Sequence, residues 1–273
     1  MLNLMYITNR PEIAQIAESA GVDRIFVDLE YIGKADRQSG LDTVKSKHTL
    51  DDVRIISKAI TMAELLVRIN PIHEATEEYC SSKEEIDIAI ANGADIIMLP
   101  FFKTLNEVAQ FLTYVNGRVK TMILLETPET VEIIDEILQL KGIDYIHIGL
   151  NDLSLGYGMK FMFQLLADGT VERLCTKFRE KGIPYGFGGI ASLGKGMIPA
   201  EMIIREHYRL GSTCAILSRS FCNVDKIEHL GVSSTFVNGI REIRAFEEKC
   251  QEHIGYFMDN KWELEKFVKK IIQ

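Results

Sequence analysis

Short apolar runs alternate with amphipathic stretches along most of the chain. The runs predict strands over residues 4–7, 24–28, 65–69, 95–99, 121–125, 145–149, 184–187 and 213–217. Between them, apolar residues recur at helical spacing over 11–20, 50–60, 83–92, 105–115, 131–140, 171–181 and 199–210. Several helical stretches close on a glycine just before the next strand (Gly21, Gly93, Gly142, Gly182, Gly211), the left-handed stop that shortens a helix-to-strand connection. Eight such units in order predict a parallel (β/α)8 TIM barrel. A doubly wound open sheet shares this alternation, but no GxGxxG follows the first strand.

Past residue 225 the pattern becomes helical. Phe236, Ile240, Ile243 and Phe246 form one stripe, and Trp262, Phe267, Val268 and Ile271 the apolar side of a last helix. So much aromatic surface must pack on something, either this barrel or a neighbouring subunit. A barrel consumes roughly 250 residues, nearly all of the 273 present, so the chain reads as one domain over 1–273 with 225–273 as its helical extension.

Composition narrows the class of function. At 47% hydrophobic and 26% charged residues, with mean hydropathy +0.03, the chain reads as soluble. No run approaches the roughly 18 apolar residues of a membrane span, and MLNLMYITNRPE lacks the basic region and apolar core of a signal peptide, so the expected location is the cytoplasm. Five scattered cysteines without a CxxC argue against a disulfide framework or structural zinc. A net charge of −8 and no basic stripe argue against nucleic acid, which leaves small molecules.

In a barrel the working residues sit at the carboxyl ends of the strands. There the sequence places Asp28, Glu30 and Tyr31 after strand two, Arg68 in VRIN, Phe101, Phe102 and Lys103 after strand four, and Glu126 after strand five. Leu150, Asn151 and Asp152 follow strand six, Gly188 strand seven and Arg219 strand eight. Adjacent parallel strands lie about 4.8 Å apart, so Glu126 and Asp152 open toward one pocket. Two converging carboxylates suit a hard divalent cation with open positions for substrate and water, although a strand-end Glu and a turn-stabilising Asp are also ordinary structural choices. Arg68 either meets an anionic or carbonyl ligand or forms an ion pair with Asp28, Glu30 or Glu126.

The succession VDLE, LVRINP, GADIIMLP, LLETPE and IGLNDLS, in register over residues 5–217, resembles the HpcH/HpaI aldolase and citrate lyase β-subunit family of the phosphoenolpyruvate/pyruvate barrel superfamily. The resemblance implies a metal-dependent carbon–carbon lyase or aldolase acting through the enolate of a 2-oxo acid such as pyruvate, without a Schiff base. It places Glu126 and Asp152 on the family's metal ligands, for magnesium, manganese or cobalt. It also places Arg68 on the arginine that binds the keto oxygen, and the amides near Leu150, Asn151 and Asp152 on the acid's carboxylate. An aldehyde would be the second substrate. In the superfamily the terminal helix commonly crosses to a neighbouring subunit, so a homo-oligomer is expected.

The chain departs from that pattern where the aldolases have an acid/base histidine and its aspartate partner; Tyr31 and Ser82 stand there. A phenol with a pKa near 10 is a poor base. His48 is the first replacement candidate, ahead of His73, and the polar segment 33–47 before it reads as a lid or a mobile connection. His48 also sits beside a plausible Thr49–Asp52 helix cap. Gly188 in GFGG and Arg219 in SRS occupy the usual phosphate-binding place of barrels or form a tight turn and a surface charge. Phe101 can wall a pocket and Lys103 can meet an acidic group. Two alternatives stay open: an acyl-CoA lyase of the citrate or malyl type, and a non-catalytic barrel that binds an acidic metabolite.

Overall fold

The computed structural model describes residues 1–33, 48–224, 229–252 and 254–273. Of the predicted lid over 33–47, residues 34–47 lie outside them. Eight strands, β1 (Asn3–Ile7), β2 (Arg24–Asp28), β3 (Glu64–Arg68), β4 (Ile96–Leu99), β5 (Lys120–Leu125), β6 (Tyr145–Ile148), β7 (Tyr185–Ile190) and β8 (Cys214–Leu217), form a closed barrel in chain order. All pairings are parallel, and β8 returns to β1. This is the (β/α)8 architecture that the alternation of runs predicts.

The helices are α1 (Pro11–Ser19), α2 (Leu50–Ala59), α3 (Ser82–Ala91), α4 (Leu105–Val115), α5 (Pro128–Glu132), α6 (Ile134–Ile137), α7 (Leu150–Gly156), α8 (Gln164–Ala167), α9 (Thr170–Glu180), α10 (Ala200–Leu210), α11 (His229–Glu252) and α12 (Phe257–Ile272). Thr49, Ser81 and Thr104 close capping boxes with Asp52, Glu84 and Glu107, which satisfies the orphan amides at the starts of α2, α3 and α4. The helix expected over 131–140 is two short helices, because Ile133 leaves the helical region at φ −100° and ψ 14°. The stretch LNDLSLG, expected as a loop, is helix α7, whose Leu150 and Leu153 are buried.

Strand alternation divides the core into two layers. Odd-register side chains such as Val27, Val67, Ile97 and Ile123 pack outward under the helices. Phe26, Leu66, Met98, Met122 and Leu124 point into the barrel and fill it, with Cys214 beside them. The same inward period carries Asp28, Arg68, Glu126 and His147 to the upper end of the barrel.

At the C-terminus, Phe236, Ile240 and Ile243 of α11 are buried as the stripe predicts. The last helix is rotated from expectation. Leu264 and Val268 face the core, and Asn260 Nδ2 donates to Met202 O and Glu206 Oε1 of α10. Trp262, Phe267 and Ile271, read with Val268 as the helix's apolar side, lie outside with Trp262 59% exposed. The buried polar anchor Asn260 sets this rotation; a count of apolar residues alone does not reveal it.

Candidate active site

The site is assembled from strand ends. Asp28 and Arg68 are direct partners in the β2–β3 register. Asp28 accepts from Arg68 Nε and Nη2, both at 2.8 Å, and Arg68 Nη1 lies 3.3 Å from Glu30 Oε2. Burial works against the guanidinium charge, but Asp28, Glu30 and Glu126 outweigh it and raise its pKa well above the usual arginine value. Ion pair and pocket position therefore coexist, since Arg68 also lines a cavity beside Glu126 and Asp152.

Glu126 follows β5 directly and is buried. Its Oε1 accepts from the Phe101 amide at 3.0 Å. Its Oε2 lies where β6 passes so close that a side chain at Gly149 would stand 2.7 Å away. Glycine is required there by close approach. Burial raises the Glu126 pKa well above the ordinary carboxylate value, and the charges of Glu30 and Asp152 raise it further. Asp152 sits in the first turn of α7, where Asn151 Nδ2 donates to its Oδ1 at 3.2 Å.

Among the described residues no cluster of three or more His, Cys, Asp or Glu side chains forms a metal cage. Glu126 and Asp152 nevertheless fit a hard divalent cation. They are oxygen donors crowded by like charge, a cation would relieve that repulsion, and magnesium usually takes only one or two protein carboxylates.

Two cavities share this pair of carboxylates. The inner one, about 220 Å³, is walled by Arg68, His147, the start of α7 at Gly149, Leu150 and Asn151, Met162, Gly188 and Ser218. The outer one, about 450 Å³, is walled by Phe101, Lys103, Pro128, Glu129 and Leu155. Phe101 holds φ +43°, a conformation that costs a non-glycine residue of order 1–2 kcal/mol, and so places its amide on Glu126. Phe102 is core. Lys103 Nζ donates to Glu129 Oε1 at 2.9 Å.

The remaining expected residues surround this centre or stand at the surface. His48 Nδ1 accepts from the Asp28 amide at 2.9 Å, so a neutral ring carries its proton on Nε2. Tyr31 is 54% exposed, with its ring 6.3 Å from that of Tyr79. His73 is held between Pro71 O and Cys80 O, with Ser82 Oγ 2.9 Å from its Nδ1, which makes it a loop fastener. Arg219 is exposed, while its neighbour Ser218 lines the inner cavity.

Glu30, which the sequence places after strand two, is only 1% exposed, pairs with Arg68 and acts on Glu126. Two contributors escape a reading of strand-end motifs. Asn70 Oδ1 accepts from the Tyr31 and Ile32 amides while Glu85 holds its Nδ2, which fixes the turn out of β2. His147 forms the floor. Its Nε2 donates to Gly188 O at 3.1 Å, and burial pushes its pKa down to about 4, with Arg68 and Arg24 adding to the effect. Its inward position in YIHI is the signal that could have found it.

A parallel eight-stranded barrel with a guanidinium and two carboxylates converging at the strand ends is the arrangement of a candidate small-molecule site of the barrel-enzyme class. The sequence profile of the HpcH/HpaI aldolase/citrate lyase family matches residues 3–183, and the chain belongs to that family. Comparison with curated proteins returns no match. Among solved structures, an HpcH/HpaI aldolase from Desulfitobacterium hafniense DCB-2 superposes with TM-score 0.60 at 16% identity, covering 89% of this chain and 93% of that one. An HpcH/HpaI aldolase/citrate lyase family protein from Burkholderia cenocepacia J2315 does so with TM-score 0.60 at 15% identity, covering 92% and 93%. At such identities these two likenesses show the shared fold. No helix among the described residues is long and apolar enough to cross a membrane.

Proposed function

We propose that the chain is a divalent-metal-dependent lyase or aldolase that forms the enolate of a 2-oxo acid such as pyruvate in the inner cavity. The observation that carries this reading is the convergence of Arg68, Glu126 and Asp152 on one 220 Å³ chamber at the strand ends. A magnesium, manganese or cobalt ion on Glu126 and Asp152 would supply Lewis acidity toward the keto group. Arg68, held rigid by Asp28 and Glu30, aims a permanent positive charge at the oxygen on which enolate charge develops. The backbone of Leu150, Asn151 and Asp152 takes the acid's carboxylate, and His147 and Gly188 close the floor. His48 Nδ1 meets the Asp28 amide beside Arg68 and Tyr31 keeps its ring at the surface; water is the proposed carrier of the methyl proton.

The family relationship and the site chemistry support this reading together. It is tested by proton-to-deuterium exchange of the pyruvate methyl in heavy water, followed by NMR with added manganese or magnesium. Exchange that requires metal and is lost in Glu126→Ala, Asp152→Ala and Arg68→Ala is expected. Pyruvate binding without exchange under any metal would sink the enolate reading and favour a non-catalytic binding barrel.

The exposed apolar residues of α12 support a homo-oligomer in which this helix meets a second copy. A monomeric mass in solution would exclude it.

A further inference from the structure

Oxo-acid chemistry in the inner chamber leaves the outer cavity unused. That cavity, at about 450 Å³, is roughly twice the inner one at about 220 Å³, and Glu126 and Asp152 line both. A compact 2-oxo acid beside Arg68 would therefore share the Glu126 and Asp152 wall with a second, larger room. The volume falls in the range of about 300–1,000 Å³ usual for ligand sites.

The walls of that room are chemically distinctive. Phe101, Pro128 and Leu155 supply apolar surface, and Gly156 packs so closely that a side-chain carbon there would lie 2.5 Å from Pro128 Cδ. Phe101, whose amide donates to Glu126, also lines this chamber. The cation at the rim, Lys103, stands 5.6 Å over the Phe101 ring and is neutralised by Glu129 at 2.9 Å. A lone lysine would attract an anionic tail. A lysine paired with a carboxylate does not, and no other cation among the described residues lines this cavity.

We infer that the outer cavity binds the second substrate, and that this substrate is an uncharged aldehyde with an aromatic or branched apolar body. The inference rests on the enolate reading above. In the addition, a carbon–carbon bond forms between the enolate methylene and the aldehyde carbon, and the carbonyl π pair moves to oxygen. That oxygen takes up one proton, matching the one lost from the pyruvate methyl, and nothing is oxidised or reduced overall.

Binding separates this inference from the chemistry. With the full-length, magnesium-loaded protein, saturation-transfer NMR gives dissociation constants for benzaldehyde and for 4-formylbenzoate, which adds a carboxylate to the same body. Pyruvate is measured alongside, in wild type and in Leu155→Trp, which fills the chamber. Benzaldehyde is expected to bind about tenfold or more tighter than 4-formylbenzoate, and Leu155→Trp to weaken benzaldehyde about tenfold more than it weakens pyruvate. Equal or tighter binding of 4-formylbenzoate, or equal effects of the tryptophan on benzaldehyde and pyruvate, would overturn the assignment. Phe101→Ala, read by the same ratio, replaces the tryptophan variant should that chain not fold. The dissociation constants need no turnover, so absence of methyl exchange would remove the enolate reading while the binding result still decides what the outer cavity takes.

Discussion

Arg68 and Asp28 face each other across the β2–β3 pairing and meet as two planar forks, Nε to Oδ1 and Nη2 to Oδ2, each at 2.8 Å. This bidentate geometry fixes the guanidinium plane and leaves Nη1 toward Glu30, so the charge is presented to the cavity without rotamer freedom.

Asp28→Asn tests this presentation. It keeps the shape but removes a charge from a nearly buried pair, which should lower stability by about 2 kcal/mol, since Glu30 still neutralises part of Arg68. Methyl exchange should fall about tenfold, mainly in kcat, because a misaligned donor stabilises the developing oxyanion less well. Urea denaturation and NMR exchange read the two effects. An unchanged rate would show that Arg68 needs no such alignment.

Glu126→Gln should separate stability from function. In metal-free protein at pH 8 the glutamine removes repulsion with Glu30 and Asp152 while keeping an acceptor for the Phe101 amide. We expect a gain of about 1 kcal/mol in thermal unfolding together with loss of manganese binding by calorimetry. Destabilisation instead would mean that attraction to Arg68 dominates the carboxylate's environment.

Most of the barrel was legible because parallel strands buried on both faces read as continuous apolar runs. Arg68, Glu126 and Asp152 were legible as strand-end residues because the barrel's geometry sends such residues to one rim. The rotation of α12 was not, since it depends on Asn260 finding Glu206 and Met202 O, a long-range polar match with no local signal. His48 looked like a spare base in sequence. Only the fold shows that its Nδ1 meets the Asp28 amide. The split of the site into two chambers rests on the unusual backbone of Phe101 and on α7, which resembles a turn when read as Asn-Asp-x-Ser.

Two buried histidines give the fold a pH dependence of definite sign. Burial lowers His147 to about 4 and His207 to about 3, the latter helped by the charge of His147. Unfolded, both titrate near 6.5. Between these values the unfolded chain binds more protons, so stability is full above about pH 6.5 and is lost as pH falls toward 4, by up to roughly 3 kcal/mol for His147. His147→Gln, whose amide can still donate to Gly188 O, should flatten the decline of urea midpoints from pH 7 to pH 4.5. An unaltered slope would assign the decline to other groups.

The α12 surface offers a test of assembly. Met258 and Trp262 are 71% and 59% exposed, and Lys266 Nζ lies 3.1 Å from the centre of the Trp262 ring. Trp262→Glu should lower the mass measured by light scattering with little loss of monomer stability, because the residue contributes nothing to the barrel core. A mass that does not change would remove α12 as the proposed contact with a second copy.

Gly188 links the floor of the site to its substrate. Its φ is +50°, its carbonyl accepts from His147 Nε2, and a methyl group there would stand 2.6 Å from Leu150 Cδ1. Gly188→Ala therefore combines backbone strain of about 1 kcal/mol with displacement of Leu150 into the inner cavity, beside the backbone proposed to hold the substrate carboxylate. Pyruvate affinity should fall about tenfold, whereas benzaldehyde, bound in the outer cavity, should lose far less. Parallel losses for both ligands would mean that Leu150 and α7 move as one body, carrying Asp152 with them and disturbing both chambers.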